Sequence, residues 1–237
     1  MHLFAICGII LTDLQAVIFF VCLWGAEMFE TLRFAFSLLG EALAEGSLFP
    51  LIRQQVFYQR VAIPVVIDLT RLSFSQDPLA GSEYQCVRLQ QQAILTGQQV
   101  FDRPVRRFDA LRHLKQGLLG FGLSNSSGIL FGDMWCALPN NPVACQDLSM
   151  LGLSCEADAL YALDMFLAPA YRGHNLAVRL HRSVELALQQ EGWRKLYAYY
   201  WEDNRPSRWM HLMLKCTELE KKRISRFFGI KITHQGI

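Results

Sequence analysis

The most regular alternation of apolar and polar positions lies in the second half of the chain. Leu160–Leu167 is a short apolar run that predicts a strand. Lys195–Trp201 predicts another, with Leu196, Ala198 and Tyr200 on one face and three aromatic residues on the other. Between them, Asn175–Gln190 repeats apolar residues at helical spacing. A second helix is predicted from Asn204, because Pro206 is favoured in a first turn. This strand–helix–strand–helix order predicts two strands in one sheet.

The pattern upstream of this unit predicts further strands and helices. Apolar runs at Leu118–Leu123 and Ile129–Leu138 flank five small or polar residues that end at Gly128, which predicts a hairpin with a positive φ at that glycine. The other predicted elements are a strand from Ala62, a strand over Tyr84–Leu89, helices over Leu89–Val100 and Arg107–Gly117, and a surface loop over residues 139–156.

Residues 1–27 carry only two charged side chains, Asp13 and Glu27. The longest charge-free run, residues 14–26, is shorter than the about 20 residues that span a bilayer. No basic segment precedes it, which argues against a signal peptide. An over-extended start before Met28, a peripheral helix on a membrane and a membrane span stay open. We predict a hydrophobic, partly amphipathic helical extension over residues 1–60 and an α/β domain over residues 61–237.

Composition limits the classes of function. Hydrophobic residues form 52% of the 237, which excludes a disordered chain. A net charge of +2 is too small to indicate nucleic acid, so none is expected as a partner. The seven cysteines include no CxxC pair, which favours free thiols in a reducing compartment and argues against a metal site. We therefore expect a cytoplasmic protein, with membrane association left open.

The turn over residues 169–175 connects the first predicted strand of the unit to its helix. A helix that starts directly after a tight turn presents backbone N–H groups outward, and its dipole adds partial positive charge. Such a helix start binds phosphate, and Arg172 adds a cation suited to two hydrogen bonds. Gly173 and Ala177 keep the turn small. Pyrophosphate binding and a plain strand–helix connection both fit this pattern.

Two motifs in order resemble those of one family. Leu167-Ala168-Pro169-Ala170-Tyr171-Arg172-Gly173-His174-Asn175-Leu176-Ala177 resembles the acyl-CoA-binding motif of the GNAT acyltransferase superfamily. Asn204-x-x-Ser207-x-x-x-His211 resembles its second signature, and the hairpin resembles its central strands. The resemblance covers roughly residues 84–237, and more weakly 60–84. Asn175 departs from the family's usual glycine, and Lys215-Cys216-Thr217 replaces its usual Leu-Gly-Phe, which displaces the final strand toward Ile224–Ile232.

The resemblance implies roles for individual residues. The loop Arg172, Gly173, His174, Asn175, Leu176 and Ala177 is expected to hold the pyrophosphate, and the strand edge at Phe166 and Leu167 to pair with the pantetheine amides. Asn204 and Ser207 are expected to contact the pantetheine arm, with helix capping as the alternative for both.

Two candidate catalytic residues follow from the same resemblance. His211 stands where many members have the tyrosine that protonates the departing thiolate, and a packed histidine is the alternative. Asp164 is a candidate base for the amine, with a solvated strand residue as the alternative.

The fold implied is a GNAT-type mixed β-sheet flanked by helices. The implied function is an N-acyltransferase that passes an acetyl group from acetyl-CoA, or another acyl-CoA, to an unidentified amine by direct attack. The alternative is a catalytically degenerate acyl-CoA-binding or interaction module. Two further expectations stay open: contact of residues 1–27 with a membrane, and assembly of the chain into a homodimer.

Overall fold

The computed structural model describes residues 57–154, 156–173, 175–227 and 230–234. The predictions for residues 1–56 and for His174 lie outside these ranges. Within them, ten strands form one mixed sheet. The strands are β1 Phe57–Asp68, β2 Gln85–Arg88, β3 Val100–Phe101, β4 Leu119–Ser124, β5 Ile129–Ala137, β6 Ala159–Leu167, β7 Lys195–Trp201, β8 Thr217–Glu218, β9 Lys222–Phe227 and β10 Ile230–His234.

The strand order is β10-β9-β1-β7-β6-β5-β4-β2, with β3 beside β5 and β8 beside β1. Most neighbours are antiparallel, including the predicted hairpin of β4 and β5, where Gly128 has a φ of 77°. The predicted unit is confirmed, because β6 and β7 are adjacent and parallel. The sheet is therefore mixed, with the parallel pair of β6 and β7 near the middle and a second, two-residue parallel pairing between β3 and β5.

Five helices lie among the described residues: α1 Gln91–Leu95, α2 Pro104–Lys115, α3 Pro142–Met150, α4 Leu176–Gln190 and α5 Arg205–Leu214. Alternate residues of β6 and β7 face opposite sides of the sheet. Tyr161 and Tyr197 pack with residues of α2 and α3. Leu160 and Leu196 pack on the other side with the apolar stripe of α4. The sheet is thus covered by helices on both faces, as predicted.

Three predicted elements differ from the structure. Residues 142–150 form α3 rather than a loop, since Asn141 accepts a hydrogen bond from the N–H of Val143 and Pro142 occupies the first turn. Residues 57–60 belong to β1, so the predicted helical extension does not reach residue 60. The predicted helix over Leu89–Val100 is only the five residues of α1, because Val100 pairs with β5.

None of the helices in the described ranges combines the length and the apolar character needed to cross a bilayer.

Candidate active site

The two central parallel strands separate soon after they begin. Their pairing runs from Ala159 opposite Lys195 to Tyr161 opposite Tyr197, and it stops there although both strands continue. One extra residue, Leu163, also interrupts the register between β5 and β6. The carboxyl-terminal half of β6 therefore has a backbone edge that β7 does not cover.

A tight loop joins the end of β6 to α4. The ring of Tyr171 stacks on Phe131 with centroids 3.9 Å apart, which anchors the loop to the sheet. Gly173 has a φ of 101° and Asn175 a φ of 56°, so the chain passes through the left-handed region twice before Leu176 begins the helix. Asparagine tolerates this conformation better than most residues, so its place in the loop, where the family usually has glycine, is compatible with this turn.

A cavity of about 690 Å³ lies between this loop, the edge of β6 and α5. We call it the outer cavity; its lining comprises Met165, Phe166, Leu167, Arg172, Gly173, Asn175, Ala177, Asn204, Pro206, Ser207, Trp209 and Met210. Eight of the predicted cofactor-binding residues are among them. Leu176 is not, because its side chain is buried in the core beneath the sheet.

Arg172 is exposed at the mouth of the outer cavity. Its Nε donates a hydrogen bond to the carbonyl oxygen of Leu167 at 3.1 Å, across the loop. This bond uses one of five N–H groups of the guanidinium. The terminal nitrogens can still bind an anion beside the start of α4.

The start of α5 forms the opposite wall. Asn204 is its N-cap, and its Oδ1 accepts a hydrogen bond from the N–H of Ser207 at 3.3 Å. The alternative of helix capping is thus confirmed for Asn204, which also lines the outer cavity. The carbonyl of Ser207 accepts a hydrogen bond from Nδ1 of His211 at 2.7 Å, while the Ser207 hydroxyl lies 3.4 Å from the same nitrogen.

His211 is buried, with its ring stacked on Tyr200 at a centroid distance of 5.0 Å. Burial lowers the pKa of His211 to about 4, because the charged ring loses its hydration. The ring is therefore neutral near pH 7. A neutral imidazole whose Nδ1–H is bound to a carbonyl has an acceptor at Nε2 and no proton to give there.

A second, smaller cavity of about 120 Å³ lies where β6 and β7 separate. We call it the inner chamber; it is lined by Met134, Ala162, Leu163, Asp164, Met165, His181, Ala198, Tyr199, Ser207, Met210 and His211. Met165, Ser207 and Met210 line both spaces, so the inner chamber adjoins the outer cavity. Both predicted catalytic residues, Asp164 and His211, face this chamber.

Asp164 is part of an ion-pair cluster that the sequence did not indicate. Its Oδ2 accepts a hydrogen bond at 2.8 Å from Arg106, which also pairs with the buried Asp133. Burial opposes the charge of Arg106, yet the hydrogen bonds and charges of Asp133 and Asp164 outweigh it and raise its pKa. The indole N–H of Trp135 donates to Asp133 at 2.8 Å. In the sequence, Arg106 belongs to a basic stretch over residues 103–115 that fits a solvated face or, as the alternative, a patch for an anionic ligand. Only its tertiary partners reveal its role.

His181 lines the inner chamber, and sequence reasoning did not single it out. Its Nδ1 lies 2.8 Å from Oε1 of Glu185, one turn further along α4. The i,i+4 spacing of a histidine and a glutamate inside the apolar stripe was a usable signal. In the described part of the chain, no group of three or more His, Cys, Asp or Glu side chains is arranged to hold a metal ion.

Known structures share this arrangement of strands and helices. A GCN5-related glucosamine N-acetyltransferase region of a fungal multi-domain β-N-acetylglucosaminidase matches 75% of this chain with a TM-score of 0.51 and 10% identity. The chain has the fold of the GCN5-related N-acetyltransferases. This match covers 22% of the fungal chain, so the similarity is to the fold of one region of that protein.

Two further structures have lower scores. A GCN5-related N-acetyltransferase from Sphaerobacter thermophilus has a TM-score of 0.46 and 13% identity over 76% of this chain and 55% of its own. Aminoglycoside N-acetyltransferase AAC(6')-Iy in complex with CoA has a TM-score of 0.42 and 18% identity over 59% of this chain and 91% of its own. The chain spans between half and two thirds of the length of the first matched structures. No protein-family model matches the sequence, and a search of curated proteins found no match.

Proposed function

We propose that this chain is an acyl-CoA-dependent N-acyltransferase that transfers an acetyl group from acetyl-CoA to an amine by direct attack. The observation that carries the proposal is the outer cavity. It joins the loop between β6 and α4, the uncovered edge of β6 and the start of α5 in one continuous groove. These are the features that a pyrophosphate followed by an extended amide-containing arm requires.

The dimensions support this orientation of the ligand. With the pyrophosphate at the loop of Arg172 and Asn175, the arm follows β6 backwards from Leu167. The four steps from Leu167 to Leu163 span about 13 Å at the usual rise of a strand. An extended arm of that length ends at the inner chamber, so we propose that the thioester lies there.

We propose the following division of roles. The amides of residues 172–177, with Arg172, hold the pyrophosphate, and Phe166 and Leu167 pair with the pantetheine amides through their backbone. Asn204 and Ser207 line the far side of the arm. Asp164, paired with Arg106, attracts and orients the amine at the chamber. Most of the rate enhancement comes from holding the amine and the thioester together.

The predicted role of His211 as the proton donor to the thiolate remains a prediction. Its neutral ring near pH 7 argues against that role, because the protonated form is scarce. The alternative function is a degenerate module that binds acyl-CoA but transfers no acyl group to an amine.

The test uses the full chain and two assays. Calorimetry with CoA and acetyl-CoA measures binding, and release of free thiol over a panel of peptide, amino-acid, polyamine and aminoglycoside amines measures transfer. Mass spectrometry of the acceptor then identifies an amide product. Saturable binding together with an acylated amine is the expected result. Absence of CoA binding contradicts the proposal, and binding without any acylated product favours the degenerate module.

A further inference from the structure

The inner chamber contains a second imidazole that is held differently from His211. His181 and Glu185 are 2% and 0% exposed on α4, and Nδ1 of His181 lies 2.8 Å from Oε1 of Glu185. The other carboxylate oxygen accepts a hydrogen bond from Arg182 at 2.6 Å. A buried carboxylate in this position favours the tautomer with a proton on Nδ1, which leaves Nε2 as an acceptor.

His181 is also in the right place to meet a reacting group. Its ring lines the inner chamber, with its centroid 6.4 Å from that of His211. Among the described residues, Nε2 of His181 has no hydrogen-bond partner, since its only such contact is the one from Nδ1 to Glu185. The acceptor atom is therefore available to a group that enters the chamber.

The surroundings of the two imidazoles differ in one decisive respect. Nδ1 of His211 faces the neutral carbonyl of Ser207, whereas Nδ1 of His181 faces a carboxylate. A carboxylate at Nδ1 stabilises the imidazolium that forms when Nε2 takes a proton, and a carbonyl does so far less. Of these two rings, His181 is the better proton acceptor.

We propose that His181, oriented by Glu185, is a further catalytic residue of the acyl transfer. The inference rests on the proposed function. As the amine nitrogen forms its bond to the thioester carbonyl carbon, Nε2 of His181 takes the proton that the nitrogen loses. The carbon–sulfur bond then breaks with its electron pair on sulfur, and the imidazolium returns that proton to the thiolate. The products are the amide and the free thiol of CoA, and the imidazole is regenerated.

The first test is kinetic. His181→Asn keeps a side-chain N–H close to the position of Nδ1, so the contact with Glu185 survives while Nε2 is lost. We expect kcat to fall on the order of 100-fold with the Kd of CoA unchanged. Ser183→Ala is the matched control, because Ser183 is buried on the same helix and donates at 2.7 Å to Asp77, away from the chamber. It is expected to keep the wild-type kcat.

The pH profile separates catalysis from structure. Proton uptake requires neutral His181, so kcat/KM of the wild type falls on the acid side, and this limb is lost in His181→Asn. The ionisable groups around the ring and its carboxylate partner are of three kinds. Arg182 pairs with Glu185 on α4, and Asp164, Tyr199 and His211 line the chamber with His181. Tyr200 stacks on His211, and Cys216 interacts electrostatically with Glu185. If His181 has only a structural role, His181→Asn keeps the decrease of kcat/KM at acid pH.

A second measurement does not depend on turnover. In the ¹⁵N spectrum of the histidine rings, the Nε2 signal of His181, assigned by its loss in His181→Asn, is expected to move when CoA is added. Adenosine 3′,5′-bisphosphate has no pantetheine arm and should leave that signal unmoved. If CoA binds without moving the signal, the placement of His181 at the thiol is wrong.

The outcomes separate this inference from the proposed function. If the wild type acylates an amine and His181→Asn keeps its kcat and its acid limb, only the role of His181 is overturned. If the wild type binds no CoA or acylates no amine, the proposed function fails, and the role of His181 fails with it. Loss of kcat and of the acid limb, with CoA binding and the Ser183→Ala control intact, supports the inference.

Discussion

Arg172 is the residue on which CoA binding depends most directly in the proposed site. Arg172→Ala removes one charge-assisted contact with the pyrophosphate but leaves the backbone amides of the loop. A hydrogen bond to a charged group contributes about 1.5–3 kcal/mol. We therefore expect the Kd for CoA to rise about ten- to a hundredfold by calorimetry. The Kd for dephospho-CoA should rise by a similar factor in Arg172→Ala. Pantetheine has no pyrophosphate and should bind equally to the variant and the wild type.

Arg179 provides the matched control for this variant. It lies on α4 outside the outer cavity, and its Nε donates to the carbonyl oxygen of Pro78 at 2.9 Å, as Arg172 does to Leu167. Arg179→Ala is expected to leave the Kd for CoA unchanged. Equal losses in both variants would indicate a general effect of arginine removal and contradict pyrophosphate binding by Arg172.

The predictions for single residues were most reliable where backbone conformation was involved. The positive φ predicted at Gly128 is confirmed. The surroundings of Asp164 and His211 did not follow, because Arg106 comes from a distant helix and the contact of His211 with Tyr200 depends on how α5 packs against β7. Burial and pairing of a side chain depend on which strands and helices become neighbours.

Asn175 decides how α4 begins, and therefore how the loop amides are presented. Its φ of 56° lies in the left-handed region, where a residue other than Gly, Asn or Asp costs about 1–2 kcal/mol. We expect Asn175→Ala to lower the free energy of unfolding by about 1 kcal/mol and to weaken CoA binding. Asn175→Gly is expected to match or exceed wild type in both. Denaturant unfolding and calorimetry measure the two effects, and an Ala variant as stable as the Gly variant contradicts the argument.

The hairpin of β4 and β5 requires a glycine opposite a tryptophan. A Cβ on Gly120 would lie 2.5 Å from Cζ3 of the fully buried Trp135, its cross-strand partner. We expect Gly120→Ala to cost about 1–3 kcal/mol of the free energy of unfolding. Adding Trp135→Phe should give a double variant less destabilised than the sum of the single changes, by at least about 0.5 kcal/mol. Strict additivity would show that the two residues do not collide.

Helix α3 is an element that the sequence did not predict, because a surface loop was expected there. Two prolines and two asparagines favoured a loop over residues 139–156, but Asn141 followed by Pro142 is also the usual start of a helix. Tyr161 of β6 donates a hydrogen bond at 3.1 Å to Asp147 of this helix. Local turn chemistry favoured both structures, and packing on the sheet decided between them.

The stability of the whole domain is expected to depend on pH through its buried histidines. Burial lowers the pKa of both His113 and His211 to about 4, from 6.5 for an exposed histidine. Between these values the unfolded chain binds a proton that the folded chain does not. The free energy of unfolding therefore keeps its full value above about pH 6.5 and falls as the pH decreases toward 4. At pH 5 each histidine has lowered it by about 2 kcal/mol.

His113→Phe isolates one of these contributions. The ring of His113 packs edge-on against Trp135 at 4.8 Å, and its Nδ1 has no hydrogen-bond partner among the described residues. Phenylalanine keeps this packing and cannot be protonated. We expect urea unfolding to give similar free energies for both proteins at pH 7, and a free energy about 2 kcal/mol higher for the variant at pH 5. Parallel pH curves for the two proteins would contradict the expectation.

From the sequence alone, the order of β6, α4, β7 and α5, the β4–β5 hairpin and the positive φ of Gly128 in its turn could all be predicted. These features depend on contacts within a few residues or on a repeating pattern, so the residues concerned carry the information themselves. The separation of β6 from β7, the Arg106 cluster around Asp133 and Asp164, and the inner chamber with His181 could be found only in the tertiary structure. Each of them depends on which distant segments meet and on how much water they exclude, and that is decided only when the sheet assembles.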